Sequence, residues 1–196
     1  MFWHRGRLER AANPAVSPDS TTLRFEMPHE LGPRFFMLGM ASLSSVEEVL
    51  GYDRGVYAPA WSPDSKTVAF GKQRITAAGA TTDIWKVPAA TRISGADKTI
   101  VTTNATSPTY SQVEPKIAFI RVADDGTRAG LWVMNTDGTG IAQIPGPVDP
   151  ADPQWSPNGQ TIAYVEPSTS AIYTVPASGG VPTKVADGVD PLDVAR

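Results

Sequence analysis

Four segments of one pattern, spaced 45, 49 and 45 residues apart, predict an all-β chain folded as a β-propeller of four-stranded antiparallel blades. The segments are Ala15-Val16-Ser17-Pro18-Asp19-Ser20, Ala60-Trp61-Ser62-Pro63-Asp64-Ser65, Thr109-Tyr110-Ser111-Gln112 and Gln154-Trp155-Ser156-Pro157-Asn158-Gly159. The 18 prolines and 17 glycines are dispersed along the chain, which suits many short strands joined by turns.

Each repeat continues in the same way. Seven residues past the aligned position comes a second strand: Leu23-Arg24-Phe25, Val68-Ala69-Phe70, Ile117-Ala118-Phe119 and Ile162-Ala163-Tyr164. Strand alternation sends the two large residues to one face and the middle residue to the other. In three repeats that middle residue is alanine, and a small side chain lets a neighbouring blade approach. Third strands are expected at Phe35–Leu38, Ile84–Val87, Leu131–Met134 and Ile172–Val175, and weaker fourth strands at Thr99–Val101, Ile141–Ile144 and Thr183–Val185. Only Ser42 to Leu50 shows helical periodicity, and a distorted outer strand fits that stretch equally well. Ser-Pro-Asp-Ser and Ser-Pro-Asn-Gly read as type I turns, with proline presetting φ at the second position. Asn135-Thr136-Asp137-Gly138 and Ser178-Gly179-Gly180 read as hairpin turns between third and fourth strands.

The chain reads as a single propeller domain over 1–196, with blades near 13–50, 57–103, 107–146 and 150–187. Residues 1–12 and 188–196 read as strands of partial blades: Phe2-Trp3-His4-Arg5 looks like a third strand, and Val189-Asp190-Pro191-Leu192 echoes Val148-Asp149-Pro150-Ala151. Two arrangements follow, a small closed ring or a piece of a longer propeller. An open arrangement would expose strand edges and apolar blade faces and favour self-association.

Composition removes several function classes. A net charge of −3 and a pI near 5.4 argue against nucleic acid as a partner. The absence of cysteine removes disulfide and thiol chemistry. No apolar run reaches the roughly 18 residues of a membrane span, so no membrane insertion is expected, and the first residues lack the apolar stretch of a signal peptide.

Trp-Ser-Pro-Asp-Ser-x-x-Val-Ala-Phe at 61–70, followed by Asp-Ile-Trp-Lys-Val at 83–87, resembles the repeat of TolB-type β-propellers. The likeness is strongest over 58–88 and 151–180, good over 109–140 and weaker over 13–40, where Val16 replaces the usual aromatic. The third repeat departs at Gln112-Val113-Glu114-Pro115, losing the Pro-Asp turn. The resemblance implies a periplasmic or other extracytoplasmic protein that binds a protein partner of the cell envelope.

Candidate chemistry is sparse, and no cofactor, metal site or catalytic residue is expected. His29-Glu30 lacks a second histidine four residues on, no Gly-x-Ser-x-Gly is present, and Gly138-Thr139-Gly140 lacks a third glycine. Asp124-Asp125-Gly126 and Asn135–Gly138 could hold calcium but lack the spaced ligands of a calcium loop, so they read as structural turns. Trp61, Trp85, Trp132 and Trp155 recur at equivalent positions, which favours inter-blade core over a stacking platform for a ligand.

In a four-stranded antiparallel blade the first and third turns share one face of the disc. The second turn and the connection between blades share the other. The second turns vary in length while the first are constant, and variable loops on a rigid scaffold are where recognition is placed. The expected contact residues on that face are His29, Arg34, Tyr52, Asp53, Arg54, Lys72, Arg74, Arg121, Asp125 and Arg128. The function expected is a non-catalytic protein-interaction scaffold. The alternatives are the propeller part of a larger enzyme, either a prolyl-peptidase-like gate or a propeller hydrolase or lyase, and the sensor domain of a regulator.

Overall fold

The computed structural model describes residues 12–27, 34–39, 46–48, 55–77, 79–89 and 98–187. They form four four-stranded antiparallel sheets, each built of strands consecutive in the chain. The first sheet comprises β1 (Ala12–Val16), β2 (Thr22–Met27), β3 (Arg34–Gly39) and β4 (Val46–Glu48). The second comprises β5 (Val56–Trp61), β6 (Thr67–Thr76), β7 (Gly79–Pro88) and β8 (Thr99–Thr102). The third holds β9 (Ala105–Tyr110), β10 (Lys116–Val122), β11 (Arg128–Asn135) and β12 (Ala142–Gln143); the fourth holds β13 (Ala151–Trp155), β14 (Thr161–Glu166), β15 (Ala171–Pro176) and β16 (Thr183–Ala186). No described residue is helical, and within Ser42–Leu50 the described part is the outer strand β4. Of the partial-blade strands expected at 1–12 and 188–196, Ala12 opens β1 and the rest lies outside the described residues.

Strand β5 packs on β9 and β9 on β13, so the first strands of the second, third and fourth blades line the common axis. The apolar packing falls into three clusters among the described residues, one at each successive pair of sheets. The second and third clusters share one construction. The alanine-bearing face of one sheet receives the large face of the next: Ala69 and Ile84 meet Tyr110, Ile117, Phe119 and Met134. Likewise Ala118, Ile120 and Leu131 meet Ile162, Tyr164 and Val175. Ala69 and Ala118 are fully buried, as the small-residue rule in the sequence requires. Where the second sheet nears β9, a Cβ added at Gly71 would lie 3.1 Å from Thr106 Oγ1. Trp61 is buried and Trp85, Trp132 and Trp155 pack at the cluster edges, so these four tryptophans belong to the packing between blades.

The first interface is the polar exception. Arg24 stands where the other second strands carry alanine, and burial pushes its guanidinium down to about 10, opposed by the charge of Glu26. Glu26 is buried, and its Oε1 accepts the amide of Ala58 in the next sheet at 3.1 Å.

Two devices recur among the blades. The first is a bulge in the axial strand. Ala58, Ser107 and Asp152 have φ of 45°, 50° and 47°, each three residues before the repeat aromatic and each followed by proline. The ladder shifts register at these points. Proline has no N–H to offer a ladder and is tolerated at such a bulge. The second device is the first turn. Ser62 Oγ donates to Asp64 Oδ1 at 2.6 Å and accepts the Thr67 amide, while Asp64 Oδ1 accepts the Lys66 amide. Ser17-Asp19 and Ser156-Asn158 repeat the pattern. The fourth turn residues, Ser20, Ser65 and Gly159, are left-handed at 60°, 59° and 70°.

These bonds hold the carboxyls of Asp19 and Asp64 below the ordinary value of 3.8, chiefly through the serine hydroxyls. Asp125 and Asp137 are lowered by the hydroxyls of Thr127 and Thr139, and Asp149 by Arg128. A folded-state pKa below the unfolded one gives stabilisation that is present above the unfolded value and lost as pH falls through the lowered value. The melting temperature is therefore expected to stay level from about pH 7 to about pH 5 and to fall below about pH 4. Asp64→Asn should flatten part of that fall in a calorimetric pH series. A melting temperature held down to about pH 2 would mean that the turn carboxylates stabilise nothing.

Candidate binding face

Among the described residues, second turns and blade connections converge on one face of the disc, and the longest projection is the hairpin of the second blade. Its strands β6 and β7 run ten residues each and stay in register to Thr76 opposite Gly79. The hairpin tip is exposed, and Ile75 presents an apolar side chain that is 74% accessible.

At the base of the hairpin, Arg74 and Asp83 form a two-point ion pair, Nε to Oδ2 at 2.6 Å and Nη2 to Oδ1 at 3.2 Å. The Asp83 side chain is buried, so its charge needs these donors. Asn104, in the connection between β8 and β9, donates its amide to Asp83 Oδ1 at 3.0 Å and its Nδ2 to Asp124 Oδ1 at 3.2 Å. Thr81 donates its hydroxyl to Asn104 Oδ1. Arg121 donates to the Thr103 carbonyl at 2.8 Å and stacks its guanidinium over Trp132 and Phe119, 5.1 and 5.5 Å from the ring centroids. Arg128 clasps Asp149 in the connection between β12 and β13, at 2.7 and 3.1 Å. Lys72 lies 4.9 Å above the Trp85 ring.

The structure brings Lys72, Arg74, Arg121, Asp125 and Arg128 to this face. Their bonds run mostly inward. Arg74, Arg121 and Arg128 tie second turns to blade connections, and Asp125 Oδ1 is taken by the Thr127 amide and hydroxyl at 2.9 and 2.6 Å. Asp137 is held by Thr139 in the same way, so the Asp125 and Asp137 carboxylates are each engaged within their own turn. Arg34 opens β3 on this face, and its side chain lies outside the described residues, as do His29, Tyr52, Asp53 and Arg54 entirely.

Sequence reasoning missed Asp83, Asn104 and Asp149. Asp83 carried a signal, because a carboxylate beside Ile84-Trp85 in a buried strand demands a partner. Chemically the face is a rigid, charge-locked platform with one long apolar-tipped arm.

A TolB protein from Acinetobacter baumannii superposes with a TM-score of 0.73 at 15% identity, covering 93% of this chain and 45% of that one. The fold is that of the TolB propellers. A protein from Agrobacterium tumefaciens assigned to TolB gives a TM-score of 0.71 at 19% identity, over 88% of this chain and 63% of that one. An oligogalacturonate lyase from Vibrio parahaemolyticus gives 0.60 at 15% identity, over 90% and 52%. The chain thus spans less than two thirds of the TolB structures it matches. No protein-family model and no curated protein matches the sequence.

Proposed function

We propose that this chain is a non-catalytic protein-interaction scaffold of the TolB-like propeller type, acting outside the cytoplasm through its second-turn face. The observation that carries the reading is the hairpin of two ten-residue strands whose exposed Ile75 projects from a face locked by ion pairs. An apolar anchor on a pre-ordered arm loses little entropy on docking, which favours a protein surface as partner. The two TolB structures, which have the higher TM-scores, support a binding module over the lyase reading. The acidic charge balance supports a partner other than nucleic acid. No helix among the described residues is long and apolar enough to cross a membrane.

Self-association has its own support. Internal interfaces pair an alanine-bearing face with a large one. The first sheet turns the opposite face outward, with Phe25 stacked on Phe36 at 5.7 Å and Val16 exposed. A second copy's alanine-bearing fourth sheet is the matching surface.

The test is photo-crosslinking from position 73 in an envelope fraction, with and without Ile75→Asp. The expected result is a defined protein adduct whose yield falls at least tenfold in the variant while the melting curve is unchanged. Equal yields would reject the hairpin as the contact, and cleavage of oligogalacturonate by the chain would overturn the non-catalytic reading.

A further inference from the structure

On the opposite face, carrying the first and third turns, a cleft of about 410 Å³ opens between the second and third blades. Its origin is a set of departures from the repeat that converge on one place. In the second and fourth blades the repeat tryptophan fills the interface and donates its indole N–H to the preceding sheet: Trp61 to the Ala15 carbonyl, Trp155 to the Thr109 carbonyl, both at 3.2 Å. The third blade has Tyr110 at this position, with a smaller ring and no indole.

The turns add to the gap. The first and second blades join where the Asp19 amide meets Ser65 Oγ at 3.0 Å. The third blade's turn leans instead toward the fourth, with Val113 against Gly159. Finally, Lys86 stands on β7 where the equivalent residues of the other blades are Met37, Val133 and Thr174.

The donors and acceptors of the cleft are unequal. Asp64 is bound by its own turn, and Glu114 is paired with Lys116 at 2.6 Å. Lys86 Nζ donates one hydrogen bond, to the Thr136 carbonyl at 3.3 Å, leaving two of its three protons. The Tyr110 hydroxyl takes no hydrogen bond among the described residues, though the residue is only 5% accessible. Burial, with the charge of Asp64, pushes that phenol up to about 12, so it is a proton donor at neutral pH. Pro63, Pro115 and Val113 add apolar wall. The site therefore offers a cation and a phenol donor within an apolar surround, while its own acids are already satisfied.

We propose that this cleft binds the carboxylate of a small organic acid or of a peptide C-terminus, with Lys86 and Tyr110 as its donors. A charge-assisted pair of bonds at one end and proline walls along the sides suit an acid carrying a short aliphatic group. The cleft is on the face away from the Ile75 hairpin, so it can be occupied independently of a partner there.

Calorimetric titration of the full chain with N-acetyl-Ala-Val, its C-terminal amide and propionate tests the proposal. The peptide acid should bind at least tenfold more tightly than the amide. Lys86→Met, which places the first blade's residue there, should weaken the acid at least tenfold and leave the amide unchanged. Tyr110→Trp should refill the interface and remove binding without lowering the melting temperature. Propionate binding as tightly as the peptide would assign the site to free acids, and weaker propionate binding to chain ends. Equal affinity of acid and amide, no binding of any probe, or full affinity in a folded Lys86→Met variant would overturn the assignment.

Discussion

Trp61→Ala is expected to destabilise the chain by about 3–5 kcal/mol. The indole is 7% accessible and packs with Met37, Val56, Val68, Phe70 and Val87, most of them in its own sheet. Truncation removes that contact area, leaves a cavity between two sheets, and strips the Ala15 carbonyl of its 3.2 Å donor. For a chain of this length the loss amounts to a fall of roughly 10 °C in melting temperature. The effect should also be local. In repeat architectures each unit is coupled mainly to its neighbours, so the first blade should loosen before the others. Trp61→Phe, which keeps a ring but no N–H, should cost distinctly less. Scanning calorimetry decides the matter: an unchanged midpoint for Trp61→Ala would mean that the indole does not join the first two blades.

The blade plan was legible because the seven-residue spacing to the second strand recurs four times and the turn chemistry agrees with it in three repeats. Ser62-Pro63-Asp64-Ser65 encodes its own hydrogen bonds, so its place in the repeat fixed where β6 begins. What stayed hidden depends on residues whose meeting requires the fold. Arg74 and Asp83 are nine apart in sequence and become partners only through the register of the long β6–β7 hairpin. Prolines 14, 59, 108 and 153 were visible at the repeat spacing, yet a proline reads as turn punctuation, and here it marks a bulge inside the axial strand. The cleft was harder still. Its parts are substitutions within the repeat, Tyr110 for tryptophan and Lys86 for an apolar or small residue, and each is unremarkable until the sheets are stacked. Of the expected contact residues, Lys72, Arg74, Arg121, Asp125 and Arg128 are described, and they lie together at second turns as loop counting groups them. Their charge, however, is mostly spent on holding that face together.

Ala118→Leu is expected to cost about 2–3 kcal/mol, near the upper end for an overpacked core. Ala118 is fully buried, opposite Val133 on β11 and Thr109 on β9, and its face meets Ile162, Tyr164 and Val175 of the fourth sheet. The facing residues cannot move aside alone, because Ile162, Tyr164 and Val175 belong to strands paired on both sides. The added atoms must push two sheets apart, and the whole third cluster then loses contact. Ile120→Leu, a volume-conserving change in the same cluster, should cost less than about 1.5 kcal/mol. The comparison isolates volume from hydrophobicity, since both variants place leucine in one apolar interface. Urea denaturation of the pair reads it directly. If Ala118→Leu proves as mild as Ile120→Leu, the spacing between blades is not set by the alanine. If it is severe, the alternation of small and large residues along the second strand is what determines how closely one sheet approaches the next.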